Sequence, residues 1–190
     1  LKLRLALTPG FPAFLAAVWY FDSCGIFWPF LAAMTVHELV HAAVLLLLGG
    51  GIESVRLSFA QVELRTGLLS DRTELWSTAA GPGINLLCGW LFRRWMPAFA
   101  AVSLLLALFN LLPVWPLDGG RMIRCVLLAR LPITQAEHIS EIVSFAACAV
   151  LLLIGVFLTF FRKSGLWPLG TAAYLTVRLL MLARRTDTVQ

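Results

Sequence analysis

Two histidines and a glutamate stand together in an otherwise apolar stretch of the sequence. His37, Glu38 and His41 form the pattern HExxH within residues 24–48. On an α-helix, side chains four positions apart share a face, so His37 and His41 can bind one metal ion together. Glu38 lies beside them, where its carboxylate can take a proton from water, as in zinc hydrolases. The alternative interpretation is a buried polar patch that joins helices through hydrogen bonds.

A catalytic zinc site needs a third protein ligand and a fourth position left open for water. The metzincin continuation is absent, because Val44 and Leu47 stand where its glycine and third histidine are required. We expect Asp118 to be the third ligand. It ends a long uncharged run, and Gly119 and Gly120 permit a tight backbone turn around its carboxylate.

Three other side chains are weaker candidates for the third ligand. His138 lies in a polar stretch, where a solvated histidine is the simpler interpretation. Glu53 and Glu63 follow the HExxH motif and would suit a thermolysin-like scheme, although a solvated hairpin explains both of them equally well.

The composition excludes an ordinary soluble protein. Of the 190 residues, 60% are hydrophobic and 13% are charged, and the mean hydropathy is +0.87. Soluble domains are about half apolar and about a quarter charged. The net charge of +5 comes from basic residues that flank apolar runs, as in membrane proteins, so we expect no nucleic-acid partner. The sequence predicts a polytopic membrane protein in contact with the lipid bilayer.

Six apolar stretches predict transmembrane helices. They are residues 5–21, 24–48, 75–92, 95–117, 142–161 and 164–183. Six spans put both termini on one side, and a cytoplasmic placement gives that side 11 of the 15 basic residues. We therefore expect an all-α polytopic membrane protein with both termini in the cytoplasm. The HExxH motif and Asp118 then both approach the cytoplasmic face.

Two connections between these stretches are longer than turns. Residues 49–74 begin with three glycines and then partly alternate, which predicts a small membrane-associated β-hairpin between the second and third helices. Its exposed strand would bind an unwound substrate by adding a strand to the sheet. Residues 119–141 are amphipathic, basic and broken at Pro132, which is typical of a surface segment. We expect residues 1–190 to form a single domain.

Taken together, these motifs resemble those of one family. HELVH and the later segment NLLPVWPLDGG are similar to the HExxH and NxxPxxPLDGG motifs of the site-2 protease family of intramembrane zinc metalloproteases. Residues 80–85, AGPGIN, resemble the family's GPxxN element. The resemblance covers about residues 10–185. The most similar branch is the stage IV sporulation protein FB type, which has six spans and no PDZ insertion.

The resemblance implies roles for individual residues. It implies one Zn2+ per chain with three ligands, His37, His41 and Asp118. Glu38 becomes the general base. Asn110 would hydrogen-bond the substrate backbone or the developing oxyanion, with helix capping as the alternative. Asn85 is expected to support helix packing or to contact substrate, and the other substrate-binding candidates are Val55, Leu57 and Phe59.

The resemblance also implies a biological role. Members of that branch release a sporulation sigma factor from its membrane-tethered pro-form, in the mother-cell membrane around the forespore, and small membrane partners hold them inactive. The expected function is therefore zinc-dependent cleavage of such a pro-sigma factor near the cytoplasmic face of a bacterial cell membrane. The alternatives are an anti-sigma factor or a signal-peptide remnant as substrate, and a membrane metal transporter that uses the same His/Asp site.

Two departures from the branch are visible. Its members usually carry a CBS domain after the last span, whereas we expect neither a CBS nor a PDZ domain in residues 1–190. Their hairpin usually has a PFGG-like tip, where this sequence reads LSFAQ over residues 57–61. Nucleotide control and substrate handling at the hairpin are therefore expected to differ.

Overall fold

The computed structural model describes residues 4–7, 10–20, 22–58, 61–67, 69–162 and 165–187. The chain divides into two compact units, Leu1–Asn110 and Leu111–Gln190, which are described in turn.

A three-stranded sheet belongs to the first unit. Strand β1 (Arg4–Leu7) pairs in parallel with β2 (Ile52–Ser58), and β2 pairs antiparallel with β3 (Gln61–Thr66). The strand order β1-β2-β3 leaves β1 and β3 at the edges among the described residues. The central strand, β2, therefore has its backbone paired on both sides.

The first apolar stretch, residues 5–21, is divided between a strand and a short helix. Its beginning forms β1, and the helix α1 (Gly10–Tyr20) has 11 residues. At 1.5 Å per residue, this helix is about 16 Å long, which is short of the ~30 Å hydrocarbon core of a bilayer. The single predicted span thus differs from the structure, because β1 pairs with a strand that lies far away in the sequence.

Helices α2 (Phe27–Leu47), α3 (Asp71–Leu91) and α4 (Pro97–Asn110) pack against one another in the first unit. Small residues let them approach closely: a Cβ on Gly89 of α3 would collide with the side chain of Leu104 on α4. The apolar core beside this contact is formed by Ala33, Cys88 and Phe99.

Both long helices of this unit begin at a side-chain cap. The Asp22 carboxylate accepts hydrogen bonds from the backbone N–H groups of Ile26 and Phe27, each at 2.8 Å, where α2 begins. Ser70 accepts from the N–H of Thr73 at 3.2 Å where α3 begins. These caps satisfy N–H groups that the first turn of a helix leaves unpaired.

The second unit contains helices α5 (Asp118–Leu128), α6 (Ile133–Phe160) and α7 (Trp167–Asp187). α5 packs on α6, and α6 packs on α7. The segment predicted to lie at the surface, residues 119–141, forms most of α5 and the first turns of α6. α6 begins directly after Pro132 and therefore starts nine residues before the predicted span, 142–161.

Two helices in the described part of the chain are long and apolar enough to cross a membrane, namely α2 and α6. α4 and residues Pro168–Leu182 are apolar but shorter. α3 has 21 residues, but polar side chains in its first turns and on its buried face make it less apolar than α2 and α6. Helix length and hydropathy therefore support two of the six predicted spans.

Candidate metal centre

Helix α2 places two imidazole rings side by side. His37 and His41 are both buried, and their Nε2 atoms lie 3.0 Å apart. The ring planes are nearly perpendicular, at 86°. Two nitrogen ligands of one tetrahedral zinc ion, each at about 2.0–2.1 Å from it, are about 3.3 Å apart. The two Nε2 atoms are thus spaced almost as a shared zinc ion requires.

Helix α3 contacts both imidazole rings at their Nδ1 atoms, on the side away from the two Nε2 atoms. Nδ1 of His41 lies 2.6 Å from the backbone carbonyl oxygen of Ser77. Because a carbonyl only accepts, Nδ1 of His41 carries the hydrogen and its Nε2 keeps a lone pair for a metal ion. Nδ1 of His37 lies 3.1 Å from the amide nitrogen of Asn85. A Cβ on Gly81 would collide with the His41 ring.

Asp118 is the first residue of α5 and is buried. The helix N-terminus stabilises its carboxylate. A Cβ on Gly119 would collide with the carbonyl groups of Leu111 and Leu112, so the start of α5 packs closely on the preceding turn. The two glycines after Asp118 therefore serve close backbone packing.

The ligand atoms of three residues come together. A potential ligand atom of each of His37, His41 and Asp118 lies within 4.8 Å of the other two. This is the one group of three or more metal-ligating side chains among the residues that the structure describes. Two imidazole nitrogens and one carboxylate oxygen form a donor set that zinc prefers, and they leave a fourth position for water. The site fits a zinc ion.

Two further residues were predicted to take part in chemistry. Glu38 is half-buried on α2, next to His37. Asn110 is the last residue of α4, and its amide nitrogen donates to the carbonyl oxygen of Leu106 at 3.0 Å. This bond ties Asn110 to the end of its own helix, which is the alternative role that the sequence left open.

The predicted substrate-binding residues lie in different places. Val55 and Leu57 lie in the central strand β2, where they pair with Leu64 and Val62 of β3. Phe59 lies outside the described residues. Asn85 lies on α3, against His37.

The weaker ligand candidates also lie elsewhere in the fold. Glu53 belongs to β2, Glu63 to β3, and His138 is exposed on α6. Of the candidate ligands, the structure gathers only the three named above into a metal-ligating group within the described ranges.

The sequence did not predict the contacts through which α3 supports the histidines. Ser77, Gly81 and Asn85 are spaced by four residues and therefore share one face of the helix. Gly81 and Asn85 belong to the AGPGIN segment, so a signal was present in the sequence. The pattern did not show which residue of α2 each of them would meet.

Comparison with known proteins identifies related sequences. Residues 85–154 match the model of peptidase family M50. The chain is 30% identical to stage IV sporulation protein FB of Bacillus subtilis over 147 residues, which are 68% of this chain and 49% of that protein. It is 35% identical over 125 residues to Rip3 of Mycobacterium tuberculosis, a provisionally named zinc metalloprotease, with 53% of this chain and 30% of that protein covered.

The fold has a solved counterpart. The site-2 protease from Methanocaldococcus jannaschii superposes with a TM-score of 0.69 at 19% sequence identity, over 93% of this chain and 89% of that one. The chain spans about a third to a half of the length of the curated relatives named above.

Proposed function

Because the chain carries a domain of peptidase family M50, the site-2 protease family, we propose that it is a zinc-dependent intramembrane endopeptidase. The observation that carries this proposal is the group formed by His37, His41 and Asp118, whose ligand atoms lie within 4.8 Å of one another. The substrate would be a membrane-tethered protein, cleaved near the cytoplasmic face.

The residues of the site divide the chemistry between them. A Zn2+ held by His37, His41 and Asp118, one per chain, would make a water molecule more acidic and polarise a peptide carbonyl. The Glu38 carboxylate takes the proton of the attacking water and returns it to the leaving amine. The side-chain amide of Asn110 carries two hydrogens. One is donated to the backbone carbonyl of Leu106, and the other remains able to donate to the substrate carbonyl.

The sheet offers an edge for the substrate. Hydrolysis requires an extended segment, because helical hydrogen bonds shield the peptide carbonyls of a membrane helix. Val55 and Leu57 lie in β2, which is paired on both sides, so a substrate strand would add to the edge strand β3 instead. Proline at alternate positions of β3 should then prevent cleavage while zinc stays bound. Cleavage that survives these substitutions would exclude this way of binding substrate.

Similarity to stage IV sporulation protein FB favours a sporulation sigma factor precursor as substrate. On this proposal, the protein is a multi-pass protein of a bacterial cell membrane, namely the mother-cell membrane around the forespore, with both termini in the cytoplasm. Small membrane proteins would hold it inactive until release is required. An anti-sigma factor or a signal-peptide remnant is the alternative substrate.

Two measurements on detergent-purified protein test the proposal. We expect about one zinc ion per chain in the wild type, and a sharply lower content in Asp118→Ala. Glu38→Gln should keep its zinc and lose cleavage of a co-reconstituted, membrane-tethered pro-sigma factor. Folded wild-type protein without zinc would overturn the proposal, and so would full cleavage by Glu38→Gln.

A further inference from the structure

We propose that Asn85 is a positioning residue for the metal centre. Its carboxamide oxygen accepts a hydrogen bond from Nδ1–H of His37 and thereby directs the Nε2 lone pair of that ring toward a metal ion. The inference rests on the proposed metalloprotease function and assigns to its metal site a residue outside the set of ligands.

The first observation is the placement of the Asn85 side chain. Asn85 is fully buried, at 0% exposure, and its amide nitrogen lies 3.1 Å from Nδ1 of His37. Its oxygen, Oδ1, has no hydrogen-bond partner in the described part of the protein. The carboxamide therefore meets a partner at one end only among the described residues, and Nδ1 of His37 faces either its nitrogen as a donor or its oxygen as an acceptor.

The second observation concerns the tautomers of the two rings. When the amide nitrogen faces Nδ1 of His37, that atom must accept, so the ring carries its hydrogen on Nε2. His41 donates its own Nδ1–H to Ser77, so its Nε2 accepts the His37 hydrogen across 3.0 Å. This chain of hydrogen bonds is consistent, but it points a hydrogen into the space where a metal ion needs two lone pairs.

A half-turn of the carboxamide removes the conflict. The oxygen and nitrogen of Asn85 exchange places with almost no change in shape. Oδ1 then faces Nδ1 of His37 and accepts its hydrogen, which moves the ring to the tautomer with a lone pair on Nε2. Metal-bound histidines generally donate their other ring N–H to an oxygen acceptor in this way. His41 already does so to Ser77.

Helix geometry supports the same role. Ser77, Gly81 and Asn85 follow one another at intervals of four residues on the buried face of α3. The first accepts from His41, the second leaves room for its ring, and the third meets His37. One face of α3 therefore contacts both histidine ligands and supports their ring positions.

Two substitutions of Asn85 test whether its side-chain oxygen acts as the hydrogen-bond acceptor for His37. Asn85→Asp keeps an oxygen acceptor and removes the amide hydrogens. Asn85→Leu keeps a similar volume but removes both the oxygen and the amide hydrogens. We expect zinc affinity, measured by competition with a chelator, to fall about 10- to 100-fold in Asn85→Leu. Asn85→Asp should stay within a few-fold of wild type. Thr78→Val is the matched control, because Thr78 is also buried on α3 and its hydroxyl has no partner among the described residues.

Each result has one meaning. Wild-type affinity in Asn85→Leu overturns the inference, and so does an affinity of Asn85→Asp as low as that of Asn85→Leu, since the oxygen would then be irrelevant. Wild-type protein that binds no zinc overturns the proposed function itself. Thr78→Val should retain wild-type affinity, and a loss as large as that in Asn85→Leu would make the effect one of helix packing and overturn the inference.

A spectroscopic measurement keeps the inference testable if Asn85→Leu does not fold. In zinc-loaded protein labelled with 15N-histidine, we expect a slowly exchanging Nδ1–H proton on His37. This proton should move further downfield in Asn85→Asp, because a carboxylate is the stronger acceptor. Rapid exchange in the wild type, or an unchanged resonance in Asn85→Asp, would contradict the proposed hydrogen bond.

Discussion

The imidazole of His41 lies against the bare backbone of α3 at Gly81. A Cβ atom built on Gly81 would overlap Nε2, Cε1 and Cδ2 of that ring. The Nδ1–H of the same ring donates to the carbonyl of Ser77, one turn earlier, at 2.6 Å. α3 thus fixes both the position of the ring and the nitrogen that carries its hydrogen.

The contact between Gly81 and His41 predicts a large effect of a single methyl group. In Gly81→Ala the ring must move, and Nε2 moves with it, so we expect zinc affinity to fall about 10- to 100-fold. Competition with a chelator measures this change.

Gly83→Ala is the matched control for Gly81→Ala. Gly83 lies on the same helix and is exposed, and a methyl group added to it would meet no atom within 4 Å. We expect this variant to bind zinc like the wild type, because alanine favours the helix. Equal affinities of both variants would refute the packing role of Gly81.

A second glycine is predicted to be indispensable near Asp118. A Cβ on Gly120 would collide with backbone atoms of Val114 and Trp115, which cannot rotate away as a side chain can. We expect Gly120→Ala to lower the free energy of unfolding by about 1–3 kcal/mol. Gly170→Ala in α7 is the control, since a Cβ there meets nothing within 4 Å. Thermal unfolding that does not distinguish the two variants would contradict this prediction.

The residues of the candidate metal centre follow from sequence patterns more directly than the packing of the helices does. His37 and His41 are four residues apart on a helix, so their common face follows from local geometry. Asp118 is the expected third ligand because it is a carboxylate at the end of an uncharged run, and the structure gathers it with both histidines. The pairing of the histidines needs only short spacing, whereas the expectation for Asp118 also needs the order and direction of the predicted spans.

Contacts between distant parts of the chain could not be predicted in this way. β1 looked like the start of an apolar span, because the residues that pair with it, in β2, lie about fifty positions later. Asn85 looked like a packing residue, because its contact with His37 depends on how α3 is rotated against α2. Neither the strand partner nor the helix rotation is encoded in a local pattern.

The turn before Asp118 is predicted to depend on Ser144. The Ser144 hydroxyl accepts from the backbone N–H of Trp115 at 3.0 Å and donates to the carbonyl of Ser140 at 2.8 Å. Ser144→Ala would leave a partly buried N–H without its acceptor, at a cost of about 1 kcal/mol in the free energy of unfolding. Denaturation of the purified protein measures this cost.

Ser140→Ala is the control for the serine substitution. Ser140 is also buried on α6, and its contribution to Ser144 is a backbone carbonyl that alanine retains. We expect a clearly smaller destabilisation in this variant. If Ser140→Ala is as destabilised as Ser144→Ala, the hydrogen bond to Trp115 is not the cause.

The cap of α2 predicts a dependence of stability on pH. Hydrogen bonds from the backbone N–H groups of Phe27 and Ile26 hold the pKa of Asp22 below its ordinary value of 3.8. Since the folded-state pKa is lowered, the carboxylate stabilises the folded protein above pH 3.8, and this contribution is lost as the pH falls through the lowered pKa.

We expect Asp22→Asn to unfold at a lower temperature than wild type at neutral pH, because the amide offers one acceptor instead of two. The two melting temperatures, measured in detergent from neutral to strongly acidic pH, should converge as the wild-type carboxyl is protonated. A difference that stays constant across this range would mean that the ionised cap of α2 does not contribute to stability.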